Sequence, residues 1–321
     1  MLARLAGSNS LVVRNITDIN HPFTVTTVDY GGGLATFVGS DVLSAPGAHG
    51  LDVMPLSGDP KSTVVISCLG VWNYAWSPDA KFVTYVVETG FPGTLPWTLE
   101  WHLAGGGSDR LIGHAAPSCH CDGEHNLHFS FDVAFSPDGR YVSLVEDIPG
   151  GGDFQVRRVS DGSLVSEIGS SAYTPAPPEF TTLGVWDGRG LYFRDSKGIE
   201  AWRDGAVSSV LAGLGWTEAA ASPAGGQIVF GQEDSRGLHH PSLLDTKTGA
   251  VKSLTTQAGV GYRYLAARYL WYAGERSCRP EDNCVFNSKL PTGKTYILDL
   301  VTGVESESRI AQVLDVWPHG A

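Results

Sequence analysis

Two stretches decide the fold: NYAWSPDAKFVTYVVE at 73–88 and DVAFSPDGRYVSLVED at 132–147. They are near copies of one unit. In each, a short apolar run enters a Ser-Pro-Asp turn and leaves as a longer run that alternates apolar and polar residues, the pattern of a half-buried strand. The turn has its own chemistry, because proline pre-sets φ and glycine accepts positive φ. A looser copy is EAAASPAGGQIVFGQE at 218–233, with degenerate ones in TLGVWDGRGLYFRD (182–195) and YLAARYLWYAGE (264–275). Each unit is followed by a second antiparallel pair, such as DFQVRRVSDGSLVSEIG (153–169) or KTYILDLVTGVESES (294–308), closed at a DG or TG turn. Two hairpins in succession make a four-stranded antiparallel sheet.

A four-stranded unit repeated along a chain is the signature of a propeller. The SPDG-bearing repeat resembles that of TolB-like, WD-type β-propellers, and the resemblance covers nearly the whole chain. It implies an all-β fold of blades around a channel. Inner-strand anchors fall near Phe37, Trp76, Phe135, Val185, Ala221 and Ala266, which gives six blades. Seven is the alternative, reached if the terminal segments SLVVRNI (10–16) and QVLDVWP (312–318) form a blade of their own. The six-bladed reading has those segments pair at a seam, so that residues 1–321 form one domain without open sheet edges.

Composition narrows the function. The 321 residues are 42% hydrophobic and only 17% charged, with 40 glycines, which suits many short strands and tight turns. A formal net charge of −12 without a Lys/Arg stripe argues against nucleic acid as a partner. No apolar run approaches the roughly 20 residues that cross a bilayer, so no membrane insertion is expected. The start, MLARLAGSNS, lacks a signal-peptide core; the chain reads as soluble, and periplasmic or secreted if a leader has been removed. A monomer is expected. Five cysteines leave at least one unpaired within the chain, and Cys278 and Cys284 in SCRPEDNC either close a small disulfide or stay reduced. The nine tryptophans read mainly as fillers between blades.

Candidate chemistry concentrates on one face. In propellers of the resembled family, that face carries the inter-blade connections and the loops between second and third strands. The segment HAAPSCHCDGEHNLHF (114–129), the loop EDSRGLHH (233–240) and the loop around Cys278, Glu281, Asp282 and Cys284 should all reach it. Histidine, cysteine and carboxylate in one run are the donors that zinc prefers, although the spacing also suits a solvated polar rim. Five residues before the turn prolines stand Asn73, Asp132 and Glu218; extending the register gives Thr182, and Tyr262 or Arg263. These positions should converge on the channel mouth. Asn73, Asp132 and Glu218 offer hard oxygen ligands suited to calcium, and His128 or His240 would move the preference toward zinc or manganese.

This ligand ring is similar to that of six-bladed propeller hydrolases of the paraoxonase, gluconolactonase and diisopropylfluorophosphatase type, in architecture and ligand chemistry only. The likeness implies a divalent metal and hydrolysis of small esters, lactones or phosphotriesters. Asp132 or Glu218 would then activate water, and Tyr262, Arg263 and Thr182 would contact the substrate. The alternative is a non-catalytic TolB-like propeller whose rim binds a peptide, a glycan or a protein. The acidic chain favours a small neutral molecule or a peptide as ligand.

Overall fold

In the computed structural model the chain is a closed ring of seven four-stranded antiparallel sheets. The structure describes residues 1–5, 11–16, 23–28, 35–39, 41–47, 49–56, 63–67, 71–89, 98–115, 130–148, 151–170, 184–195, 197–213, 216, 218–255, 257–279 and 289–316. Among them are twenty-eight strands, β1 to β28 in chain order. No helix there is long and apolar enough to cross a membrane.

The repeat unit folds as its residues require. The Ser77 hydroxyl donates to Asp79 Oδ1 (2.7 Å) and accepts the Phe82 amide (2.9 Å), while Ala80 N–H returns to the Ser77 carbonyl (2.8 Å). Ser136, Asp138, Gly139 and Tyr141 repeat these bonds in the second copy, with Gly139 at φ +68°. Both serines are buried, so these hydrogen bonds satisfy groups that water cannot reach. In the looser copy Ala224 replaces the aspartate, and the turn is held by Gly225 N–H on the Ser222 carbonyl alone of that set (2.8 Å).

Six blades run outward from their innermost strands in chain order. Those inner strands are β4 (Thr36–Phe37), β8 (Val71–Trp76), β12 (Ser130–Phe135), β16 (Gly184–Asp187), β20 (Ala219–Ala221) and β24 (Gly259–Ala266). They contain the six anchors read from the sequence. The seventh blade corrects the six-bladed reading and matches its alternative. Its innermost strand is β28 (Ile310–Asp315), and its outer three are β1 (Leu2–Leu5), β2 (Leu11–Asn15) and β3 (Phe23–Val28). The termini do pair, β1 antiparallel to β28, but they do so inside a full blade. The physical reason the repeat does not announce this blade is simple. Its first and second strands come from opposite ends of the chain, so no Ser-Pro-Asp turn joins them.

We number this composite blade one and the others two to seven. Seven apolar clusters fill the seven interfaces between adjacent blades. Trp101, Trp186, Trp202, Trp216 and Trp271 are buried within them, in the filler role expected of large flat side chains. Closure between blades seven and one joins Leu265 and Trp271 to Met1, Ala3, Ile310 and Val313. Trp271 Nε1 donates to the Ile310 carbonyl (3.0 Å), and Asp315 accepts from the Thr36 hydroxyl (2.5 Å) and the Phe37 amide (2.7 Å) of blade two.

Candidate functional site: the channel mouth over blades six and seven

Every inner strand starts where an inter-blade connection delivers the chain, and antiparallel pairing brings the link between second and third strands to the same face. That face therefore carries Glu218, just before β20, and the turn from β21 (Gln227–Glu233) to β22 (His239–Asp245). It also carries the adjoining ends of β25 (Tyr269–Ser277) and β26 (Lys289–Asp299). With blade one counted, the loop 233–240 belongs to blade six; residues 116–129 and the loop with Glu281, Asp282 and Cys284 lie outside the described residues.

Glu218 is the centre of the described part of this face. It is 7% exposed, and its Oε2 accepts the backbone N–H of Gly261 from blade seven. That amide is free to turn because β24 bulges there: Val260 faces Ala273, but the next paired residue is Arg263, opposite Trp271. Gly261 sits at φ +75°, a conformation that favours glycine. A bulge unpairs backbone groups and re-aims side chains, and here the unpaired donor is given to a carboxyl. Burial pushes the Glu218 carboxyl above its usual value, although the Gly261 amide, the Arg263 guanidinium, His239 and the Tyr262 amide all pull it down.

Around Glu218 lies a chain of polar contacts that bridges the two blades. Glu275 Oε2 accepts both the backbone N–H (3.0 Å) and Nδ1 (3.1 Å) of His239, and Lys289 Nζ lies 3.2 Å from His239 Nε2. The His239 and Glu275 side chains are only 7% and 8% exposed. An ionised Glu275 accepts a hydrogen bond from Nδ1–H, which leaves Nε2 as the acceptor for the lysine ammonium. Burial would raise Glu275, but the hydrogen bonds from His239 outweigh it and hold the carboxyl below its ordinary value. Tyr262 is buried, donates its hydroxyl to the Gly259 carbonyl, and has its phenol pushed well up by burial, then by the charges of Glu218 and Glu275. Arg263, by contrast, is exposed, on the innermost strand of blade seven and close enough to Glu218 for its charge to act on that carboxyl.

The remaining sequence candidates are placed as follows. Asn73 lies on β8 of blade three, half-buried, with its Oδ1 accepting the Tyr74 amide (2.8 Å). It too stands at a bulge, since Val71 pairs with Val87 and Asn73 with Val86. Asp132 lies on β12 opposite Val145, and its side chain is outside the described residues, as are Thr182 and His128. His240 Nε2 lies 3.2 Å from Asp234 Oδ2, whose carboxylate also accepts the Arg236 and Leu238 amides. Among the described residues, no group of three histidine, cysteine or carboxylate side chains could hold a metal ion. Glu218 and His240 have protein partners, the Gly261 amide and Asp234. Cys278 is disulfide-bonded, and the other four cysteines lie outside the described residues.

Sequence reasoning missed Gly261, Glu275 and Lys289. Glu275 closes the degenerate repeat copy at 264–275, in the place of Glu88 and Glu233, but nothing in that repeat points to His239; Lys289 carries no motif. Gly261 had one legible signal, the GVGY sequence at 259–262 in an inner strand, where glycine in a strand marks a bulge.

No protein-family model matches the sequence, and no curated protein matches it. Solved structures do. A puromycin hydrolase S511A mutant in complex with PGG aligns with a TM-score of 0.58 at 13% identity, over 97% of this chain and 51% of that one. A proposed 6-phosphogluconolactonase of Bacteroides fragilis aligns with a TM-score of 0.56 at 12% identity, over 98% of this chain and 96% of that one. TolB of Acinetobacter baumannii aligns at 16% identity with a TM-score of 0.46, over 84% of this chain and 61% of that one. The chain thus spans little more than half the length of two of these three. At these identities the likeness is one of fold, that of a β-propeller.

Proposed function

We propose that the protein is a ligand-binding propeller that takes a small molecule or a peptide at its channel mouth, on the side of blades six and seven. One observation carries this reading: Glu218 is buried at the edge of the channel, and the innermost strand of the next blade bulges to supply it with an amide. Burying an ionisable group is unfavourable, and groups so perturbed concentrate at functional sites. The adjoining His239–Glu275 pair and Lys289 hold the surrounding rim rigid, which preorganises a binding surface.

Metal-assisted hydrolysis of small esters, lactones or phosphotriesters is the second reading. It is favoured by the raised Glu218 carboxyl, which suits a general acid or base. A calcium or zinc site would need Asp132 and His128 to join Asn73, Glu218 and His240. The described ligands do not form such a site by themselves, so binding is preferred.

Metal analysis of the purified protein, combined with an ester and lactone panel run with and without chelator and a thermal-shift screen of small molecules and short peptides, decides between them. We expect no stoichiometric metal, no turnover above background, and stabilising ligands whose effect is lost in Arg263→Ala. Stoichiometric calcium or zinc with chelator-sensitive turnover would overturn this in favour of the hydrolase.

A further inference from the structure

A hydrogen-bond account of the mouth says which chemical group it lacks. Both buried carboxyls already have protein donors. Glu218 accepts the amide of Gly261 and feels the charge of Arg263, and Glu275 accepts two donors from His239. The His239 imidazole is occupied on both nitrogens, by Glu275 and by Lys289. Tyr262 spends its hydroxyl on the Gly259 carbonyl.

The guanidinium of Arg263 is different. Among the described residues its hydrogen bond runs from Nη1 to the Tyr262 carbonyl (2.8 Å), which steadies the group; its charge also acts on Glu218, and its other donors are unspent. The residue is exposed on the innermost strand, at the bulge that turns Gly261 toward Glu218. A planar, steadied guanidinium with unspent donors matches a carboxylate in geometry and in charge. Lys289, on the same rim, is already engaged: its Nζ lies 3.2 Å from His239 Nε2 and 4.0 Å from Glu233 Oε1, which leaves Arg263 as the recognising cation. The net charge of −12 belongs to the whole chain, while among the described residues beside Glu218 the unspent hydrogen-bond donors are those of Arg263.

Resting on the binding reading above, we infer that the mouth recognises a carboxylate through Arg263, as at the C-terminus of a short peptide or on a small organic acid. The test uses the full chain and three probes: a mixture of short peptides with free C-terminal carboxylates, the same mixture C-terminally amidated, and propionate. Binding is read by ultrafiltration and mass spectrometry for the peptides and by thermal shift for propionate. Free-acid peptides should bind at least about tenfold more tightly than their amides, the scale of a hydrogen bond to a charged group. Arg263→Gln should erase that difference, and Arg263→Lys should restore part of it.

Binding of propionate with the same dependence on Arg263 supports a carboxylate on any small acid, and binding of peptides alone supports a peptide terminus. Equal binding of free and amidated peptides overturns the carboxylate inference while leaving the mouth a binding site. Failure of every probe to bind sinks both.

Discussion

Glu218 shows how one side chain couples burial to acidity. Burial dominates its environment and raises its carboxyl above the ordinary value, so the folded protein prefers the neutral form. The stability this lends is complete below the unfolded pKa, about 4.3, and is lost as pH rises through the higher folded value. Glutamine keeps an oxygen for the Gly261 amide and removes the charge. Glu218→Gln should therefore raise stability at pH 7–8, on the order of 1 kcal/mol, and give no gain at pH 4. Urea unfolding at both pH values measures it, and a loss of stability at pH 7–8 would show that the ionised carboxylate is an asset to the fold. The carboxyl was legible in the sequence because it stands five residues before a turn proline. Its amide partner was not, since Gly261 is 43 residues away and reaches it only through the bulge.

At the scale of elements, the link from β22 to β25 and β26 ties blade six to blade seven through His239, Glu275 and Lys289. Glu275 is held below its ordinary pKa, the opposite of Glu218. Its contribution is present above the unfolded value of about 4.3 and is lost as pH falls through the folded one. His239→Ala leaves a buried carboxylate without its two-point partner's imidazole, so a loss of about 3 kcal/mol at pH 7 is expected, shrinking below pH 4 as Glu275 is protonated. A penalty equal at both pH values, measured by chemical denaturation, would mean that lost packing outweighs the hydrogen bond to the carboxylate. The hairpins flanking this link could be read directly, from alternation and from turn residues. The link itself could not, because its residues lie on different hairpins and their approach depends on how two blades pack.

At the scale of the molecule, closure rests on β28. It supplies the innermost strand of blade one, carries the carbonyl that Trp271 meets, and presents Asp315 to Thr36 and Phe37 of blade two. A chain ending at Ser308 would strip β1 of a strand partner and expose Leu2 and Ala3, both buried. Such a truncation should abolish the single cooperative calorimetric transition of the closed ring and promote association through the open edge. An unchanged transition would show that the outer strands of blade one hold without it.

The sequence by itself determined the blade. Ser-Pro-Asp turns, period-two alternation and DG or TG turns are local properties, each set by the φ/ψ preferences and hydrogen bonds of a few neighbouring residues. The same locality placed Asn73, Asp132 and Tyr262 or Arg263 on inner strands and Glu218 just before one. Only the tertiary structure decided that there are seven blades, that Glu218 is buried against an amide of the next blade, and that His239 stands between a carboxylate and an ammonium. These depend on side chains brought together from distant parts of the chain. A composite blade made from both termini has no turn to advertise it, and the environment of a buried charge is fixed by packing, which residue spacing does not encode.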